Sequence, residues 1–225
     1  MSVNSEKETI GQSLESKLRK SSGTIIAILI VLLVFVVAIS VFAAVKSKVA
    51  EKGISQIDSI SYALTNDAKD LSAEDIAVRQ NKAIEDLLPL SNKGGVVGLR
   101  ANMLLAEIKF AQKNYDEARA AWLKAASAKP KVYTAPLCYF NAAVASEELG
   151  DTENAIAYYK NATENEEFLL IDHALFSLGR LNESAQKYED AKAAYEKAAE
   201  LHSSSSWANL AKSRVIAMKA AGNIQ

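Results

Sequence analysis

Residue types that bind metals, attack bonds or cradle phosphates are sparse in this sequence. His173 and His202 are the two histidines, and they lack the paired Cys or His ligands that hold a structural or catalytic metal. Cys138 is the single cysteine, so no internal disulfide is possible, and beside Leu137 on an apolar helix it reads as buried and inert. The run Gly94-Gly95-Val96-Val97-Gly98 is followed by Leu99-Arg100, whereas a phosphate loop ends in Gly-Lys-Ser/Thr. It reads instead as a linker between periodic segments. No nucleophile elbow or Ser-His-Asp pattern is present, and Asp and Glu are spread over solvated helix faces. These residues predict no catalytic residue, no metal site, no cofactor and no enzyme. A formal net charge of −1 gives no electrostatic footprint for nucleic acid.

The elements that position side chains here are helices. Ala, Glu, Lys and Leu dominate after residue 70, and Pro occurs three times. Ala and straight-chain residues lose little freedom in a helix, so an all-α chain is expected. From Thr24 to Val45 the sequence is TIIAILIVLLVFVVAISVFAAV, without charge, Pro or Gly. These roughly 22 residues would span about 33 Å as a helix, against about 30 Å of bilayer hydrocarbon. The run exceeds the apolar core of a cleaved signal peptide and reads as an uncleaved signal anchor. Lys17, Arg19 and Lys20 precede it, and Lys46, Lys48 and Lys52 follow it. The charge bias is slight, and the short N-terminal tail is expected in the cytoplasm with the large domain across the membrane. The layout is therefore a polar cytoplasmic tail at 1–22, a transmembrane helix at 23–46 and a linker helix with an N-terminal helical cap at 47–93. The tail reads as disordered or as a loose surface helix. Ile54, Ile57, Ile60 and Leu64 carry the linker helix, Ser72 with Asp75 marks the next start, and that helix ends near Pro89.

Residues 94–225 repeat themselves. Ala118, Trp122, Ala125 match Ala155, Tyr159, Ala162 and then Ala191, Tyr195, Ala198. Each triplet lies on one helix face, and the triplets are separated by about 37 and 36 positions, near the 34 of a tetratricopeptide unit. Small Ala lets two helices approach, and the aromatic fills the gap to the next unit. Asn114-Tyr115-Asp116-Glu117-Ala118 with Pro130, Leu149-Gly150-Asp151, and Leu178-Gly179 with Tyr188-Glu189-Asp190-Ala191 complete the pattern. On these residues the chain resembles the tetratricopeptide repeat family, with repeats at about 99–132, 136–169 and 172–205 and a closing helix at 206–221 that restarts at Trp207. The first helices depart from the family pattern, with Asn102, Tyr139 and Leu175 where its Trp stands. The fold expected is an N-terminal transmembrane helix followed by a tetratricopeptide-type helical solenoid.

In that family the first helix of each repeat lines the concave surface. The resemblance then implies a protein-binding groove of Met103, Phe140 and Phe176, with Glu107, Val144 and Arg180 four residues on and Phe110 and Leu137 beside them. Arg100 and His173 fall near its edge. The Lys, Arg and Asn set of carboxylate-clamp members is missing, which suits apolar or partly unfolded peptide. The alternative is that these residues pack against the long helix that follows the span. The whole layout resembles the bacterial ancillary SecYEG translocon subunit family (YfgM-like). That resemblance implies a single-pass inner-membrane protein with a periplasmic repeat domain. Its partners would be translocon subunits, chaperones or secreted clients. A scaffold for a cell-envelope complex with one folded partner is the alternative function, and neither the partner's identity nor the oligomeric state is legible.

Overall fold

The computed structural model describes residues 3–128 and 133–225, and its side chains are described from residue 23 onward except at residues 25 and 129–132. Pro130, the expected end of the first repeat, lies outside the described residues. The described residues form helices and no strand: α1 (Val3–Thr65), α2 (Ala73–Ser91), α3 (Gly95–Ala111), α4 (Tyr115–Ala128), α5 (Thr134–Glu148), α6 (Thr152–Ala162), α7 (Ile171–Ser184), α8 (Tyr188–Leu201) and α9 (Ser206–Ala220). A short 3-10 turn, Ala68–Asp70, precedes α2. The chain divides into two compact units, Met1–Glu51 and Lys52–Gln225.

The first unit is helical from Val3, where the sequence suggested disorder or a loose helix. Its apolar side chains from Ile26 to Val49 are all more than half exposed, and the helix is long and apolar enough to cross a membrane. No charged residue interrupts the stretch until Lys46, so no stripe of this helix suits water.

The second unit is a stack in which each helix from α2 onward packs on the next, and α9 also returns to α7. The core is built of the repeated triplets. Ala118, Ala125, Ala155, Ala162, Ala191 and Ala198 are fully buried, and Trp122, Tyr159 and Tyr195 are at most 3 % exposed. The absence of side chain beyond Cβ at the alanines sets how closely the two helices of a repeat approach. The aromatic then spans to the neighbouring pair, and its large buried area dominates the hydrophobic gain.

Starts and stops have local causes. The Ser72 hydroxyl accepts from the Asp75 N–H at 3.1 Å and donates to the Asp75 carboxylate at 2.6 Å. Asp151 caps α6, accepting from the Asn154 N–H, and Ser205 caps α9, accepting from the Ala208 N–H. Each first helix ends in the same way. The N–H groups of Asn114, Asp151 and Lys187 donate to the carbonyls of Lys109, Ser146 and Asn182, which places Lys113, Gly150 and Gln186 in the left-handed region at φ 61°, 70° and 60°. This is the six-to-one closure of a helix end, and it favours glycine. Only the second repeat has glycine there. We expect Gln186→Gly to raise stability by a few tenths to about 1 kcal/mol, read from the urea midpoint of the full chain in detergent.

Two expectations change. The α2 helix runs past Pro89 to Ser91, with the proline inside its final turn. The Gly94–Gly98 run is not a linker: α3 begins at Gly95, and only the turn at Asn92–Gly94 separates it from α2. A Cβ on Gly98 would stand 1.7 Å from the Lys93 carbonyl oxygen, so glycine here permits the turn to fold back on the helix it leads into. Beside it the buried Asn102 amide donates to the carbonyls of Ser91 and Gly98, both at 2.7 Å. The position where the family carries Trp thus ties α2 to α3 by hydrogen bonds.

Candidate functional site

Two cavities open on the α3 side of the stack and share Glu107. The larger, about 420 Å³, lies between the end of α1, α3 and the start of α5, and its wall includes Ile57, Leu99, Met103, Leu104 and Tyr133. The smaller, about 300 Å³, is enclosed by Glu107, Phe110, Ala111, Trp122, Asn141 and Val144. Of the eight groove residues expected from sequence, Met103, Glu107, Phe110 and Val144 are brought together here. The long helix after the span takes part too, because Ile57 and Ser61 form one wall of the larger cavity.

The other four are placed elsewhere. Phe140 is 6 % exposed, with its ring against Tyr159, Phe168 and His173, so it belongs to the core and its ring is not offered to a groove. The sequence placed it by analogy with Met103, but Phe168 and His173, from the segment that leads into and begins α7, close over it. Phe176 is half-buried against Tyr195 and Trp207, and Leu137 packs on the same cluster. His173 stacks on Trp207 with ring centroids 4.0 Å apart, and its burial pushes the imidazole toward the neutral form. The ring contacts of Phe140 lie with α6 and the start of α7, and those of Phe176 with α8 and the closing helix α9.

Arg180 is engaged inside the protein. Its guanidinium pairs with Glu147, whose other oxygen accepts from the Tyr159 hydroxyl at 2.7 Å. One repeat on, Arg214 pairs with Glu183, and Glu183 accepts from the Tyr195 hydroxyl at 2.9 Å. Each Tyr-Glu-Arg latch joins the two helices of one repeat to the first helix of the next. Burial and the carboxylate partner push both phenols upward. Sequence reasoning found the tyrosines as core aromatics and missed their partners; the signal was the recurrence of Glu147 and Arg180 as Glu183 and Arg214.

The same register between the first and second repeats holds Phe110, Trp122 and Val144, at the positions of Glu147, Tyr159 and Arg180. All three line the smaller cavity. Apolar groups there cannot form the latch, and the smaller cavity opens at the junction that lacks it. Glu107 remains accessible at its rim, yet enough protein surrounds it that desolvation raises its carboxyl above the usual range. A raised native value means the folded state holds this proton more tightly than the unfolded state does. Its ionisation therefore subtracts stability as pH rises through the native value. Glu107→Gln is expected to leave the fold at neutral pH as stable as before or slightly more so. It should also flatten the pH dependence of the urea midpoint above about pH 4.5, with only a small change because water screens an accessible carboxylate.

Cys138 is fully buried, and desolvation pushes its thiol up to about 12, so it is a packing residue rather than a nucleophile. Among the described residues no group of His, Cys, Asp and Glu is gathered to hold a metal ion. The described residues that line the two cavities offer apolar volume and one carboxylate.

Comparison with known proteins agrees with this architecture. Residues 90–132 and 140–206 match the family model of the tetratricopeptide repeat. A TPR repeat-containing protein of Treponema pallidum is 36 % identical over 122 residues, which cover 54 % of this chain and 51 % of that one, so the match spans about half the length of its relative. The crystal structure of a tetratricopeptide repeat protein from Parabacteroides merdae superposes with a TM-score of 0.56 at 23 % identity, over 75 % of this chain and 61 % of that one, a likeness of fold. With the repeated triplets, the shared helix ends and these matches, residues 90–132 and 140–206 are tetratricopeptide repeats, which imply a protein-binding helical module.

Proposed function

We propose that the chain is a protein-binding module held in a bacterial inner membrane by Thr24–Val45. Its repeats then lie on the periplasmic side, and it acts as an ancillary factor of the Sec translocon that contacts secreted polypeptides or periplasmic chaperones. The observation that carries the binding role is the pair of adjoining, largely apolar cavities that share Glu107. Concave volumes of this size with few polar groups are where proteins take ligands. The anchoring reading is supported by a helix whose apolar side chains are exposed all round, an arrangement that suits lipid and not water. The translocon assignment draws on the resemblance in layout, and it is the finer part of the proposal.

The test is a photoreactive amino acid at Met103 in the full-length protein in native membranes, with identification of the proteins captured. Translocon subunits, chaperones and many secreted chains support the role. One dominant partner outside secretion turns the reading to a scaffold of a cell-envelope complex. Protease added to spheroplasts should cut the repeat domain; protection there places it on the cytoplasmic side instead.

A further inference from the structure

Glu107 has no cationic partner among the described residues, and the cavity beside it is lined by three apolar side chains at the positions that hold a polar latch one repeat on. The inference drawn from these two facts deepens the binding role above and rests on it. We propose that the smaller cavity takes an apolar side chain of a polypeptide partner, and that a lysine or arginine next to that side chain in the partner pairs with Glu107.

Three observations point to this occupant. First, the walls are Phe110, Ala111, Trp122 and Val144, with Asn141 and Glu107 as the polar groups. A volume of about 300 Å³ bounded this way admits one large aliphatic or aromatic side chain. Second, the charge at the rim is negative. Glu107 borders both cavities, and Arg100, the one cation among the described residues that line the larger cavity, is already paired with Asp58 at 2.5 Å. An acidic partner would therefore face a like charge, and a basic one an unpaired carboxylate. Third, the register of the repeats shows what a cation does at a neighbouring position. At the next junction Arg180, which stands where Val144 and Glu107 stand in the earlier repeats, lays its guanidinium on a carboxylate beside an aromatic ring. A partner's basic residue would supply from outside the pairing that Arg180 supplies from within. Desolvation of Glu107 acts in the same direction, because a cation placed beside it relieves the cost of its charge.

The experiment uses the full-length protein in nanodiscs and three fluorescein-labelled peptides in a Gly-Ser frame, carrying Lys-Phe-Lys, Glu-Phe-Glu or Lys-Ser-Lys. Fluorescence anisotropy is expected to show binding of Lys-Phe-Lys about tenfold tighter than either of the others. Glu107→Gln should weaken Lys-Phe-Lys about fivefold and leave Glu-Phe-Glu unchanged or tighter. The triple substitution Phe110→Glu, Trp122→Tyr, Val144→Arg rebuilds the latch inside the cavity and should abolish binding of all three. Because Glu107→Gln touches no core residue, the test does not depend on the triple variant folding. Equal binding of the three peptides, or Lys-Phe-Lys binding that ignores Glu107→Gln, overturns the proposal. So does an absence of peptide binding. Capture of proteins from Met103 alongside any of those results would show that the binding role stands while this chemistry for it fails.

Discussion

Tyr159→Ala is expected to lower the unfolding free energy by about 3–5 kcal/mol, while Tyr159→Phe lowers it by about 1 kcal/mol. The first change removes a ring that is 2 % exposed and stacked edge-on against Phe140 at 5.4 Å, leaving a cavity between the second and third repeats. The second keeps the ring and removes only the hydroxyl. Glu147 then still pairs with Arg180, so no charge is left stranded and the loss is that of one hydrogen bond. Urea unfolding of the full chain in detergent, followed by helix content, measures both. A Tyr159→Phe loss as large as the Ala loss would mean that the hydroxyl, not the ring, holds the junction. Small losses for both would mean that neither the ring nor its hydroxyl holds the junction.

Gly98→Ala is expected to cost roughly 2–3 kcal/mol, far beyond the half kilocalorie typical of a surface substitution. The added methyl meets the Lys93 carbonyl oxygen, a backbone atom that cannot rotate away, at 1.7 Å. Moving it means pulling the turn off α3, and that turn lies between Ser91 and Gly98, whose carbonyls hold the buried Asn102 amide. Gly94→Ala serves as the comparison, since a Cβ there meets nothing within 4 Å and the backbone is extended. Equal tolerance of the two substitutions in the same unfolding assay would restore the reading of this run as a plain linker.

The glycine run shows where sequence reasoning stops. Composition reports that Gly94, Gly95 and Gly98 cluster, which fits a linker, but it does not report that Gly95 takes φ 70° or that Gly98 touches a carbonyl. The triplets Ala118-Trp122-Ala125 and their successors were legible because helical periodicity writes an apolar face directly into the order of residues. The latches were missed because Glu147, Tyr159 and Arg180 lie 12 and 33 residues apart on three helices, so they show only as a recurrence from repeat to repeat and not on one helix face. Of the expected groove, Met103, Glu107, Phe110 and Val144 line the two cavities, while Phe140 is buried in the core. Met103 and Phe140 hold equivalent places in their repeats, but the chain between α6 and α7 brings Phe168 over the second, while Met103 lines the larger cavity. Repeat register predicts which way a side chain leaves its helix. What then covers it is decided by connections whose course is not periodic.

The uneven placement of the latches also sets how the stack comes apart. Two of them tie the second repeat to the third and the third to α9, so those elements share buried, mutually dependent contacts and should lose structure together as one cooperative unit. The first junction is held by helix contact and by the Arg119 to Asp151 pair at 2.7 Å, which lies at the turn and not across the cavity. Without a latch, it is the seam at which opening is expected first. Amide hydrogen exchange should therefore show α3 and α4 opening at lower free energy than α5 to α9. A partner seated across that seam would bring the two rates together, so a ligand that adds no contact to α7 or α8 could still be sensed there as a gain in rigidity of the repeats as a whole.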